Sequence, residues 1–187
     1  NVAIAGERNF ENKKVLWSFT PEDPTYFYFD GFEKKDIDVL FLGTVHNQER
    51  ADYLSFLQQH LPSDIKTYFG GGQRHEKLSH EEYAALTRRA KMVINFPYSP
   101  SGLDQLKGRV FESISSGALL LERKNERTKE FFEPNKDYVE YSNKEELLKQ
   151  IKLLHVDKPL RESIASIGLE KFKEQWNHNK FWEQVLR

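Results

Sequence analysis

A chain of 187 residues and 22.1 kDa has room for one substantial core, or one domain with a piece of another, and leaves little for two complete domains. Charged residues make up 30% but cancel to a net charge of −1, so there is no global field for nucleic acid or an acidic membrane, and any anion site must be local. The absence of Cys excludes a disulfide framework and thiol or cysteine–zinc chemistry and fits a reducing compartment, while the six His lack any H-E-x-x-H type of spacing, so no metal site is indicated.

At the amino end NVAIAGERNF lacks the layout of a secretory signal, and no apolar run approaches the ~20 residues of a membrane span. The chain is therefore expected to be soluble, unexported and cytoplasmic. It starts at Asn1 and soon enters the apolar run VLWSF, as a piece of something longer would. Residues 14–30, KVLWSFTPEDPTYFYFD, fit neither a clean strand nor a clean helix around Pro21 and Pro24, which predicts a connector with extended pieces. Next, IDVLFL (37–42) is a nearly continuous apolar run ended by Gly43, the pattern of a strand buried on both faces. QERADYLSFLQQHL (48–61) places Leu54, Leu57 and Leu61 on one helical face, and Pro62 stops the helix. DIKTYF (64–69) reads as a second strand closed by Gly70, Gly71 and Gly72.

Ser79 with Glu82 forms a capping-box pattern opening a helix over 80–90, and MVINF (92–96) is a third strand. After the loop PYSPSGLDQ a helix is expected over 108–116, ended by Gly117, and ALLL is a fourth buried strand. A short helix over 126–133, a fifth strand at DYVEY (137–141), a helix over 144–154 capped by Asn143, and helical segments over 158–173 and 178–186 complete the chain. Strands alternating with helices from residue 37 onward predict an α/β fold with a doubly wound parallel sheet, whose ligands bind beyond the carboxyl ends of the strands. The loops 43–50, 70–79 and 96–109 occupy that edge.

The loop and helix start at 99–112 carry the strongest chemical signal. Unpaired N–H groups at a helix start cradle phosphate oxygens, and Gly102 and Gly108 let a ligand approach the backbone. Lys107 and Arg109 stand where cations oppose the helix dipole, a conflict that an anion would relieve. Glu112, three residues after Arg109, could accept both hydroxyls of a ribose, or it could form an ordinary i, i+3 ion pair with Arg109. From the opposite side GTVHNQER (43–50) offers Thr44, His46 and Arg50, the last suited to a diphosphate by its planar fork; the alternative is a polar loop with Arg50 on the solvent face of its helix. Asp104 and Glu112 are carboxylates that could pair as acid and base. The segments TYFYF and FKEQWNHNKFW read as core or interface rather than stacking platforms, and no basic stripe supports nucleic-acid binding.

KGRVFESISSGALLLE, followed by EFFEPNKDYVEYSNKEELLKQI, resembles the C-terminal donor-binding domain of group 1 glycosyltransferases of the two-Rossmann GT-B architecture, with the CgeB-like, spore-maturation-type branch the most similar. IDVLFLG and the connector TPEDP look like the start of that domain and the hinge before it. The resemblance implies a Rossmann-like domain over 37–187, with 1–36 a connector and the end of an N-terminal domain. It implies transfer of a sugar, with retention, from a nucleotide-diphosphate donor, without a cofactor or obligatory metal. Glu112 matches the second Glu of the family's E-x7-E pattern, the one that holds the donor ribose, whereas Asp104 stands where the first Glu would be. The resemblance further makes Asp104, Lys107 and Arg109 catalytic, sets Gly43 and Arg50 across the diphosphate, beside the Thr44 and His46 read from the loop itself, and lines the sugar side with Ser99, Ser101 and Gly102. Expected partners are the nucleotide-sugar donor, an acceptor that is a carbohydrate, lipid or protein, and the N-terminal domain of the same or another chain. Two other functions fit the same fold: a nucleotide-sugar epimerase, and a non-catalytic nucleotide-sugar or protein-interaction module.

Overall fold

Continuous apolar runs become the strands of a single sheet. The computed structural model describes residues 19–45, 48–70, 78–98 and 104–186. Five strands, β1 (Ile37–Leu42), β2 (Thr67–Gly70), β3 (Ala90–Asn95), β4 (Leu119–Arg123) and β5 (Val139–Tyr141), are all parallel in the order β2-β1-β3-β4-β5. The chain steps from β1 to β2 on one side and then crosses back to β3 on the other. That reversal opens a crevice between the carboxyl ends of β1 and β3.

Helices cover both faces, as the two-faced burial of β1 and β3 requires. On one face Val39, Phe41, Met92, Ile94 and Leu121 meet helix α1 (Gln48–His60) through Tyr53, Leu54 and Leu57, and helix α5 (Lys144–Val156) through Leu147, Ile151 and Leu154. On the other, Leu40, Leu42 and Val93 face Tyr83 and Leu86 of helix α2 (His80–Arg89). Leu120 and Tyr138 on that side pack with Val110, Phe111 and Ile114 of helix α3 (Gly108–Ser115). Each such side chain contributes about 1.5–3 kcal/mol on burial. The short helix α4 (Glu126–Lys129), α6 (Lys158–Lys171), extended by a π-helical turn at Phe172–Trp176, and α7 (His178–Val185) complete the shell.

Most boundaries fall where capping chemistry sets them. Ser79 accepts the Glu82 N–H while Glu82 bonds back to Ser79, Asn143 accepts from Glu146, and Asp157 accepts from Leu160 to start α6. The expected strand 64–69 starts late, because Pro62 to Ile65 close a turn (Ile65 N–H to Pro62 O, 3.1 Å), and Gly70 ends the strand from inside it. The expected helix 126–133 stops at Lys129, since Phe131 and Phe132 both bond back to the Thr128 carbonyl and Pro134 follows. Within the described part of the connector, residues 19–30 form no helix or strand, but Phe19 and Phe27 are buried. Phe19 packs among Phe111, Phe131, Trp176 and Phe181, and of the two aromatic segments Phe27 and Phe172 are core, whereas Tyr28 and Trp182 are exposed.

Candidate functional site

The crevice at the switch point is a cleft of about 290 Å³ lined by Gly43, Thr44, Arg50, Tyr83, Phe96, Lys107, Gly108, Arg109 and Glu112. Two strand exits and two helix starts build it. Gly43 and Thr44 follow β1, Phe96 follows β3, Arg50 lies in the first turn of α1, and Lys107 to Glu112 open α3. Lys107 is the N-cap residue of α3 but provides no side-chain cap, and no acidic residue stands in the first turn. The first N–H groups of that helix therefore meet the cleft with cations beside them instead of the carboxylates its dipole prefers.

Arg50 does not lie along the solvent face of its helix. Its Nη1 donates to the Thr44 carbonyl at 3.2 Å and its Nη2 to the Phe96 and Tyr98 carbonyls at 3.4 and 2.9 Å. Arg109 spans the crevice floor, donating from Nη1 to Asn95 Oδ1 at 2.9 Å and from Nη2 to the Leu42 carbonyl. A Cβ at Gly43 would stand 3.0 Å from Arg109 Nη2, so a larger residue there would make the guanidinium give by a few tenths of an ångström. Glu112 accepts from the Tyr83 hydroxyl at 2.8 Å, so the i, i+3 ion pair with Arg109 is not what holds it. Lys107 Nζ donates to Gln105 Oε1.

Burial, then the charges of Arg50 and Arg109, hold the Lys107 pKa below the ordinary lysine value, and Glu122 opposes them. Burial and then Arg109 likewise lower that of Arg50. Three mutually repelling cations are thus held together, and among the described residues the buried Nε–H groups of Arg50 and Arg109 have no hydrogen-bond partner. Such an arrangement is chemically suited to hold an anion. Burial, with Glu112 adding to it against Arg109, pushes the Tyr83 phenol up to about 12, so it remains a hydrogen-bond donor.

Of the residues expected at the site, Gly43, Thr44, Arg50, Lys107, Arg109 and Glu112 meet in this cleft. Asp104 does not line it; its backbone bridges Tyr98 where the chain returns from the loop after β3, close to the Gln105 N–H to Pro97 O bond of 3.2 Å. His46, Ser99, Ser101 and Gly102 lie outside the described residues, as does most of the 70–79 loop. Sequence reasoning missed Tyr83, which it treated only as part of a helix, and the supporting pair Asn95 and Glu122 behind Arg109. No cluster of potential metal ligands occurs among the described residues, and none of their helices is long and apolar enough to cross a membrane.

A parallel α/β sheet wound on both faces, with a cationic cleft at its switch point, defines a Rossmann-like domain. Residues 34–187 match the glycosyl transferase-like family, and the chain belongs to it. No curated protein matches the sequence. Among solved structures, Anabaena Alr3699/HepE in complex with UDP and glucose is similar at a TM-score of 0.73 and 12% identity, over 98% of this chain and 58% of that one. The C-terminal domain of the glycosyl transferase group 1 family protein LpcC from Francisella tularensis gives 0.64 and 12%, over 84% of this chain and 99% of that domain. T4 phage BGT in complex with UDP and Mn2+ gives 0.56 and 16%, over 90% and 49%. The chain thus matches nearly the whole of one C-terminal domain and spans about half the length of the two longer proteins.

Proposed function

We propose that the cleft binds the diphosphate and ribose of a nucleotide-sugar donor, and that the domain serves transfer of a hexosyl group to an acceptor, with retention and without an obligatory metal. The observation that carries this reading is the meeting of Arg50, Lys107 and Arg109 with the uncapped start of α3 and with Glu112 in one cleft. Glycosyl transfer breaks the bond between the sugar and a diphosphate oxygen, and negative charge grows on that oxygen as it leaves. Preorganised donors at that point favour the transition state more than the ground state. Lys107 and Arg109 are the catalytic residues in this sense, with Arg50 on the opposite wall. Their charge supports a metal-independent mechanism because it supplies what a divalent ion would otherwise bring.

Glu112 suits the ribose: an ionised carboxylate only accepts, and Tyr83 fixes one of its oxygens. His46, Ser99, Ser101 and Gly102 are assigned to the surrounding loops, with the last three toward the sugar. Asp104 remains the candidate carboxylate near the sugar; its place outside the cleft lining favours, as a second reading, a module that binds the donor without turning it over. The acceptor site, for a carbohydrate, lipid or protein, belongs in this proposal to an N-terminal domain of the same or another chain, and the protein to the cytoplasm. Membership of the CgeB-like branch is part of the same proposal.

Calorimetric titration with UDP, GDP, CDP and ADP in the presence of a chelator tests the reading. One diphosphate is expected to bind, and Arg109→Ala and Glu112→Ala each weaken it by about 1–3 kcal/mol. Binding of none, or binding indifferent to both substitutions, removes the donor site. Turnover of the matching nucleotide sugar, assayed with any hydroxylated acceptor or water, separates an enzyme from a binding module.

A further inference from the structure

Behind Arg109 runs a chain of buried polar groups that a ligand in the cleft would not touch. Asn95 ends β3 and Glu122 lies beside it in the register of β4, and both are fully buried. The Asn95 amide joins the cation to the acid: Oδ1 accepts from Arg109 Nη1 at 2.9 Å, and Nδ2 donates to Glu122 Oε2 at 2.7 Å. Tyr141 donates to the Asn95 carbonyl at 2.9 Å and fixes the strand end. The second oxygen of Glu122 accepts from Asn125 Nδ2 at 3.1 Å and Thr128 Oγ1 at 3.2 Å.

A carboxyl fully buried near the end of β4, directly after Leu119, Leu120 and Leu121, is costly. Its effect on Arg109 explains its presence. The ionisable groups that face it are Arg109 at the start of α3, Lys107 at the cap of that helix, and Tyr138 and Tyr141 from the β5 side. Burial pushes Glu122 up to about 7, with its hydrogen bonds and then Arg109 opposing the rise. This carboxyl therefore changes charge near neutral pH, one amide away from the arginine of the cleft.

Resting on the donor-site reading, we propose that Asn95 and Glu122 are positioning residues that aim Arg109 into the cleft, and that diphosphate binding is accompanied by uptake of a fraction of a proton from solvent at Glu122. A diphosphate on the cleft side brings several negative charges to the guanidinium that Glu122 faces through Asn95. The neutral acid is then favoured in the complex. Its pKa is higher with ligand than without, so binding strengthens as pH falls through the window between the two values. Outside that window Glu122 no longer makes affinity change with pH: the affinity is level above it, with the carboxylate ionised in both states, and level at a higher value below it.

The test follows the carboxylic acid band of Glu122 by isotope-edited infrared spectroscopy of 13C-glutamate-labelled protein, assigned by its loss in Glu122→Gln. Without ligand, Arg109→Ala is expected to raise the titration midpoint by about a unit or more, as loss of a nearby opposite charge does. Saturating the unaltered protein with the nucleoside diphosphate it binds is expected to raise the midpoint as well. Calorimetry near pH 7 in two buffers of different ionisation enthalpy should then show more proton uptake by the unaltered protein than by Glu122→Gln, the ligand's own protonation cancelling in the comparison. An unmoved midpoint in Arg109→Ala overturns the positioning link, and equal proton uptake in the two proteins overturns the coupling. If no diphosphate binds, the donor reading fails separately, while the ligand-free comparison still decides whether Arg109 and Glu122 are linked. The ligand arm uses the unaltered protein, so a folding defect in the variant leaves the coupling open to refutation.

Discussion

Tyr83 shows how one side chain can support the Glu112 side of the cleft, the side proposed for the ribose, apart from its cationic side. Its hydroxyl holds one oxygen of Glu112, and its ring packs against Phe27 of the connector at 5.9 Å between centroids. Tyr83→Phe removes the bond and keeps the ring. We expect it to weaken nucleoside diphosphate binding by about 0.5–1.5 kcal/mol while leaving inorganic pyrophosphate unaffected, measured by competition calorimetry. A matching loss for pyrophosphate would assign Tyr83 to the phosphate side instead. The cations of the cleft were legible in the sequence because Lys107 and Arg109 contradict the dipole of their own helix, and a local contradiction is visible without a fold. Tyr83 and Glu122 carry no such mark. Tyr83 reaches Glu112 across 29 positions of sequence, and Glu122 sits at the end of an ordinary apolar strand until β3 brings Asn95 beside it.

Helix α3 is the element on which the site depends, and its far end is as constrained as its start. It closes in a Schellman motif, with Gly117 N–H bonding Ile114 O at 2.9 Å and Ala118 N–H bonding Ser113 O at 3.0 Å. Gly117 adopts φ 66°, and a Cβ there would lie 2.3 Å from the Phe29 ring. Gly117→Ala is therefore expected to destabilise the domain by about 1–3 kcal/mol, read as a lower denaturant midpoint with an unchanged slope. The strands IDVLFL, MVINF and ALLL were legible because burial on both faces leaves near-continuous apolar runs. The end of α3 was legible for a similar reason, since one glycine follows an apolar helix. What the sequence concealed were the places where polar groups decide: the turn at Pro62 to Ile65 that delays β2, and the Thr128 carbonyl that ends α4 by taking two N–H groups at once.

Across the whole molecule, two buried groups set opposite slopes of stability against pH. Lys35 donates to the Arg88 and Ser116 carbonyls at 2.9 and 2.8 Å, and burial lowers its pKa to about 7, with Asp30 opposing. Its unfolded form binds the proton more tightly than its folded form. Stability is thus depressed below about pH 7 and recovers as pH rises from there toward the ordinary lysine range. For Glu122, raised to about 7, the folded form binds the proton more tightly, so stability falls as pH climbs from the ordinary carboxylate range to about 7 and then levels. Urea unfolding across pH 5–9 should therefore show the unaltered protein losing ground to Glu122→Gln up to neutrality and gaining on Lys35→Met beyond it. A flat difference in either pair would mean that the group titrates alike in both states. The strand order has a different consequence, one of timing. β1 is hydrogen-bonded between β2 and β3, yet β3 begins only at Ala90, so a nascent chain that has finished β1, α1 and β2 still holds IDVLFL with one edge unpaired. Its partner begins 20 residues after β2 ends and 48 after β1 ends, a long-range contact that closes slowly. During that interval the apolar edge at the heart of the eventual sheet is the segment most open to aggregation, and the one a chaperone would have to shield.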